Sequence, residues 1–208
     1  MKTSILYLLI IAVVATKPAL YLQSRNRFVS TEEHFVFYDT TKKPFVTLQD
    51  TIVSPFSYLM IRDTAASEED LNRVMITAYE ELFTLAKTGT AGVRRLMAFY
   101  HSSPPPYMLD VANEVDRFPA VVGGRVAMNK MKGGTAIVAH YRGPYKQINN
   151  AYRAINHWMT THNRKNNGSP FEVYLNSPAT VSDPYDLETD VYQLYKKTNG
   201  ISKPHTAI

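Results

Sequence analysis

Gly143-Pro144 separates two stretches of different hydrophobic periodicity, and this break constrains the fold more than any other feature of the chain. Before it, Thr135 to Arg142 is apolar, β-branched and aromatic, which predicts a strand. Proline cannot donate to a sheet ladder and glycine accepts dihedrals that other residues avoid, so the strand has to stop there. After it, Ile148, Ala151, Tyr152, Ile155 and Met159 recur at helical spacing and predict a helix from Tyr145 to His162. Asn166-Asn167-Gly168 ends that unit, and Pro170 starts the next from a fixed φ. Phe171 to Leu175 and Asp190 to Tyr195 then read as two more strands. Gly133 to Tyr195 is therefore the organising unit: strand, turn, helix, loop, strand, loop, strand.

The first half repeats this order. Phe45 to Val53 and Ser57 to Arg62 read as strands. Ser67 is placed to cap a helix whose first turn carries Glu68, Glu69 and Asp70. Leu71, Val74, Met75, Ala78, Leu82 and Leu85 form its apolar stripe, and Gly89 stops it. Arg95 to His101 and Met108 to Val115 follow as strands, joined through a Ser-Ser-Pro-Pro-Pro loop. Asp116 to Ala120 links the halves. The second opens with a strand from Val122 to Met131, and Lys132-Gly133-Gly134 turns the chain. Each half reads strand, strand, helix, strand, strand. Identity between the halves is slight, so the repeat rests on element order.

The ends differ in character. Ile5 to Ala15 is an apolar run of eleven residues behind Lys2. That is shorter than the roughly 20 residues a spanning helix needs. It suits a signal peptide with Val13-Val14-Ala15 as cleavage site, or, if Ala19 to Leu22 extends it, an uncleaved anchor to the membrane. Either places the domain outside the cytoplasm, in the periplasm of a bacterial cell. Residues 1–22 are assigned to this segment, 23–44 to a tether that includes a short strand at His34 to Tyr38, and 198–208 to a flexible tail.

Composition narrows the chemistry. There is no cysteine, which excludes thiol catalysis and disulfides. Net charge is +5, but the basic residues are scattered and no helix-turn-helix pattern stands out, so nucleic acid is not an expected partner. The six histidines form no metal-ligand pattern, and no glycine-rich phosphate loop or Gly-x-Ser-x-Gly elbow is present. No metal and no cofactor is expected. The 14 tyrosines and 9 phenylalanines fit either an aromatic core or an aromatic-lined pocket.

Alternation along the strands selects candidate site residues. Glu172 and Tyr174 share one strand face, with Phe171 and Val173 on the other. Asp190 and Tyr192 share a face of the last strand. If the helix covers Phe171 and Val173, Glu172 and Tyr174 face away from it into a concave cleft. Acidic groups among tyrosines suit a cationic aromatic ligand. Tyr141, Tyr145 and Trp158 are further candidate walls, Trp158 serving equally as core.

These blocks also carry a resemblance. The strand ending His140-Tyr141-Arg142-Gly143-Pro144-Tyr145, the Trp158 helix, the Pro170-to-Pro178 strand and the closing Leu187-to-Leu194 strand resemble the second half of a GyrI-like small-molecule-binding domain. This is the effector-binding domain of multidrug-sensing regulators, related to SOUL proteins. The resemblance is strongest over Arg125 to Tyr195 and extends from about Val46. It implies an α+β fold over 45–197, with two modules, 45–116 and 121–197, related by a pseudo-twofold axis. A concave antiparallel sheet would be backed by two helices. It also implies binding of amphipathic, often cationic compounds among aromatics, with Glu172 and Tyr174 in the family's Glu-hydrophobic-Tyr strand. Asp190 stands where the family usually has glutamate, one methylene longer.

Three readings follow. The first is a non-enzymatic binding module for amphipathic or cationic aromatic small molecules. The second is a hydrolase of strained cyclopropane-type toxins using Glu172 and Tyr174. The third is a membrane-tethered interaction module, or a haem-associated one like the SOUL proteins.

Overall fold

The computed structural model describes residues 42–102 and 104–197; the apolar N-terminal run, nearly all of the tether, its expected short strand and the C-terminal tail lie outside them. The elements are β1 (Phe45–Val53), β2 (Phe56–Ala65), α1 (Glu68–Thr88), β3 (Val93–Tyr100), β4 (Tyr107–Val115), β5 (Ala127–Met131), β6 (Gly134–Arg142), α2 (Asn149–Thr161), β7 (Arg164–Asn166), β8 (Phe171–Tyr174) and β9 (Glu188–Lys197). The fold is α+β, as expected. Ser67 caps α1, its hydroxyl accepting from the Asp70 amide at 3.2 Å. The expected helix from Tyr145 begins instead as a 3-10 turn over Tyr145–Gln147, and the α-helical part starts at Asn149.

The strands run in the order β1-β6-β9-β8-β3-β4-β2-β5, with short β7 paired to the end of β9. This order is symmetric. Exchanging each strand for its counterpart in the other half reverses it, so the pseudo-twofold axis passes between β3 and β8. The opening strand of each half leaves its own module and pairs with the other: β1 with β6, and β5 with β2.

The connections force the sheet to curl. Only Ser54 and Pro55 separate β1 from β2, a reach of about 11 Å. In a flat sheet those strands would stand roughly 29 Å apart. The link from β5 to β6 is equally short, and the two corners touch. Gly133 has φ +75°, and a Cβ there would lie 2.3 Å from the Val53 carbonyl oxygen. The concave face thereby closes on its own core of Tyr58, Met60, Met97, Phe99, Phe171, Val173 and Leu194. Phe56 on β2 meets Phe171 on β8 edge-on at 6.3 Å, although β3 and β4 lie between those strands.

Both helices pack on the convex face. α1 covers β2 and β4 through Val74, Met75, Ala78, Tyr79 and Leu82. α2 covers β6 and β9 through Ala151, Ile155 and Met159. The central pair, β3 and β8, is left under the groove between them.

A tyrosine cluster around Glu172 between the helices

The facing expectation is corrected here. Phe171 and Val173 belong to the concave core, and Glu172 and Tyr174 point to the same side as the helices. Alternation assigned these residues to two faces correctly, but the helices cover the opposite face from the one supposed. Glu172 therefore sits at the floor of the groove between α1 and α2.

Its surroundings are aromatic. The Tyr152 hydroxyl donates to Oε1 of Glu172 at 2.8 Å, and the Tyr174 hydroxyl to Oε2 at 2.8 Å. The Tyr100 hydroxyl lies 3.5 Å from that of Tyr174 and 3.8 Å from Sδ of Met75. Tyr145 meets the Tyr174 ring edge-on at 5.8 Å. Tyr79 anchors the α1 side, its hydroxyl donating to the Met97 carbonyl at 2.8 Å.

The electrostatics follow from burial. Glu172 is 4% exposed. Removal from water pushes its carboxyl up to about 7, against the opposing pull of the Tyr152 and Tyr174 hydrogen bonds. Among the described residues, no cationic side chain shifts it. Burial, then the Glu172 charge, hold the phenols of Tyr100, Tyr152 and Tyr174 well above their usual value, so they are neutral donors. Around pH 7 the floor is thus a carboxyl that takes or gives a proton easily, and its negative charge is stabilised by the two phenols.

The seven sequence candidates separate. Glu172, Tyr174 and Tyr145 come together. Asp190 and Tyr192 lie on the concave face, opposite Val173 and Phe171 respectively. Tyr192 stacks on Phe171 at 4.9 Å and donates to Asp190 at 3.2 Å, while His140 holds the other Asp190 oxygen at 2.7 Å. Tyr141 is 2% exposed beneath α2 and donates to the Pro144 carbonyl at 2.7 Å, which pins the Gly143-Pro144 turn. Trp158 occupies the outer flank of α2, stacked on His162 at 4.3 Å and against Tyr195 at 5.3 Å. The expected single cleft holding Asp190, Tyr192, Tyr141 and Trp158 with Glu172 is therefore not what the sheet builds.

Three members were missed as site residues. Tyr152 reads as one of the apolar stripe, yet it sits at the stripe's edge where a hydroxyl can leave the core. Tyr100 follows Phe99 in a buried strand. Tyr79 is one tyrosine in a long amphipathic helix. The available signal was composition: a chain with 14 tyrosines places hydroxyls as well as rings.

The fold agrees with that of known proteins. Residues 107–196 match the model of the GyrI-like small molecule binding domain. That match spans less than half of the chain. The fold is shared with the C-terminal domain of EcmrR, with TM-score 0.65 and 15% identity, covering 74% of this chain and 99% of that one. In the EcmrR–DNA complex with RPo the TM-score is 0.64 at 15% identity, again over 74% of this chain, and the match spans 58% of EcmrR. A hydrolase from Listeria innocua shares the fold with TM-score 0.55 and 15% identity, over 72% of this chain and 91% of that one. No curated protein sequence matches the chain.

Proposed function

We propose that the groove between α1 and α2 binds a cationic or amphipathic aromatic small molecule, with its positive charge over Glu172. The family supports small-molecule binding. The observation that carries the finer reading is a carboxylate 4% exposed, with two neutral phenols as hydrogen-bond donors. A buried carboxylate is costly unless paired, and a cationic ligand supplies the missing charge. The rings of Tyr145, Tyr152 and Tyr174 supply stacking and cation–π surface. The apolar N-terminal run supports a placement outside the cytoplasm or at a membrane face; among the described residues no helix is long and apolar enough to cross a membrane. The test is a titration of the full-length protein with a cationic aromatic dye and its neutral isostere. Saturable binding of the cation, weakened by Glu172→Gln, is expected; equal affinity for the neutral isostere removes the charge role.

A second reading has one specific observation behind it. A carboxyl held at about 7 is poised for acid–base chemistry. Glu172, with Tyr174, then directs water at a strained ring in a hydrolase of cyclopropane-type toxins. Time-dependent product that disappears in Glu172→Gln favours it, and saturable binding without product excludes it for that ligand.

A further inference from the structure

We propose that Ser169, His101 and Asp110 form a nucleophilic site for small activated esters, separate from the Glu172 groove. The three lie at one end of the sheet, brought together by β3, β4 and the turn before β8. Asp110 pairs with Phe99 across β3 and β4, which places it beside His101, two residues further along. Tyr100 donates its amide to the Pro170 carbonyl at 3.2 Å, which fixes the Ser169 turn against the end of β3.

The hydrogen bonds run in one direction. His101 Nε2 lies 2.8 Å from Oδ2 of Asp110, and Nδ1 lies 2.9 Å from the Ser169 hydroxyl. Arg62 grips the same carboxylate through Nε at 2.7 Å and Nη2 at 2.9 Å. Burial opposes ionisation of Asp110, but the hydrogen bonds from Arg62 and His101 outweigh it and hold the carboxyl below its usual range. An ionised carboxylate only accepts, so Nε2 of His101 carries the hydrogen. In the neutral ring Nδ1 is then the free acceptor, and Ser169 donates to it. A hydroxyl on a base, with the base oriented by a third group, is the arrangement that activates a serine.

Access is open on the serine side. The His101 side chain is 26% exposed and Asp110 7%. Gly168, at φ +107°, has nothing within 4 Å of where its Cβ would lie. In the reaction Ser169 Oγ bonds to the acyl carbon, its proton passes to His101 Nδ1, and the leaving alkoxide departs with that proton. Water, deprotonated by His101, then attacks the acyl-serine and restores the hydroxyl. Asp110 acts through His101 as a positioning residue.

The test uses the full-length protein and a biotinylated phosphonofluoridate. Labelling forms an oxygen–phosphorus bond at Ser169, expels fluoride and leaves the proton on His101. One adduct mapped to Ser169 by peptide mass spectrometry is expected, absent in Ser169→Ala. His101→Gly should label about 100-fold more slowly, with part of the rate restored by added imidazole. Asp110→Ala should also slow labelling, and Asp110→Glu should recover part of it. An unmodified Ser169, or an undiminished rate in His101→Gly, overturns the proposal. Thermal unfolding of each variant separates lost chemistry from lost fold. Glu172→Gln should label like the native protein, so this site and the groove stand or fall separately.

Discussion

Glu172 pairs directly with Ala98 across β3 and β8, the strand pair through which the pseudo-twofold axis passes. The two modules thus meet as carboxylate and methyl. A second carboxylate at position 98 would face the first within a buried site, where both could not ionise. The near-symmetric scaffold therefore carries one charge at its centre.

Ligand affinity should depend on pH through that charge. A permanently cationic dye favours the ionised carboxylate, so affinity should rise with pH through about 7 and level off above it. Titrations from pH 5.5 to 8.5 check this, and a flat profile would detach binding from Glu172.

The same group should cost stability at high pH. Its folded value of about 7 lies above the ordinary 4.5, so the folded state holds the proton more tightly. Stability contributed by the neutral form is full below pH 4.5 and is lost as pH rises toward 7. The difference is about 3 kcal/mol. Glu172→Gln should raise stability at pH 8 by about 1–3 kcal/mol and flatten this slope, read by urea unfolding at several pH values.

Removing the phenolic donors should act on the carboxylate without emptying the groove. Tyr152→Phe and Tyr174→Phe each delete one hydrogen bond to Glu172. Each should push the carboxyl further up and weaken a cationic ligand about 10-fold at pH 7. Unchanged affinity at pH 7 and pH 9 would show that the hydroxyls do not support the charge.

Trp158 and Glu172 should separate in their effects. Trp158 packs on Tyr195 and His162 at the outer flank of α2. Trp158→Ala should lower stability by about 2–4 kcal/mol and leave dye affinity within twofold. A large loss of affinity in a folded variant would place Trp158 at the ligand after all.

The corner between β1 and β5 should be intolerant of a side chain. Gly133→Ala requires φ +75° and brings Cβ to 2.3 Å from the Val53 oxygen. The curl of the sheet depends on this contact, so a loss of about 1–3 kcal/mol is expected by thermal or urea unfolding.

Much of this fold was readable from local pattern. The Ser67 cap, the Gly143-Pro144 break, the two helices and the repeated element order each depend on residues a few positions apart. Strand alternation placed Glu172 with Tyr174, and Asp190 with Tyr192, on shared faces. The exchange of β1 and β5 between modules was not readable, because partner choice in a sheet joins residues such as Val46 and Tyr141 that lie far apart in the chain.

What the sequence alone determined was therefore the elements, their order, the strand faces and the chemical types available, since these follow from periodicity, caps and turn residues. The tertiary structure decided which face the helices cover and where one strand stands against the next. Those two choices moved Asp190 and Tyr192 to the concave core, left Trp158 at a flank, and brought Tyr79, Tyr100, Tyr145 and Tyr152 around Glu172. The physical reason is that alternation distinguishes two faces without naming the one to be buried under helices. That is settled by how short links such as Ser54-Pro55 curl the whole sheet.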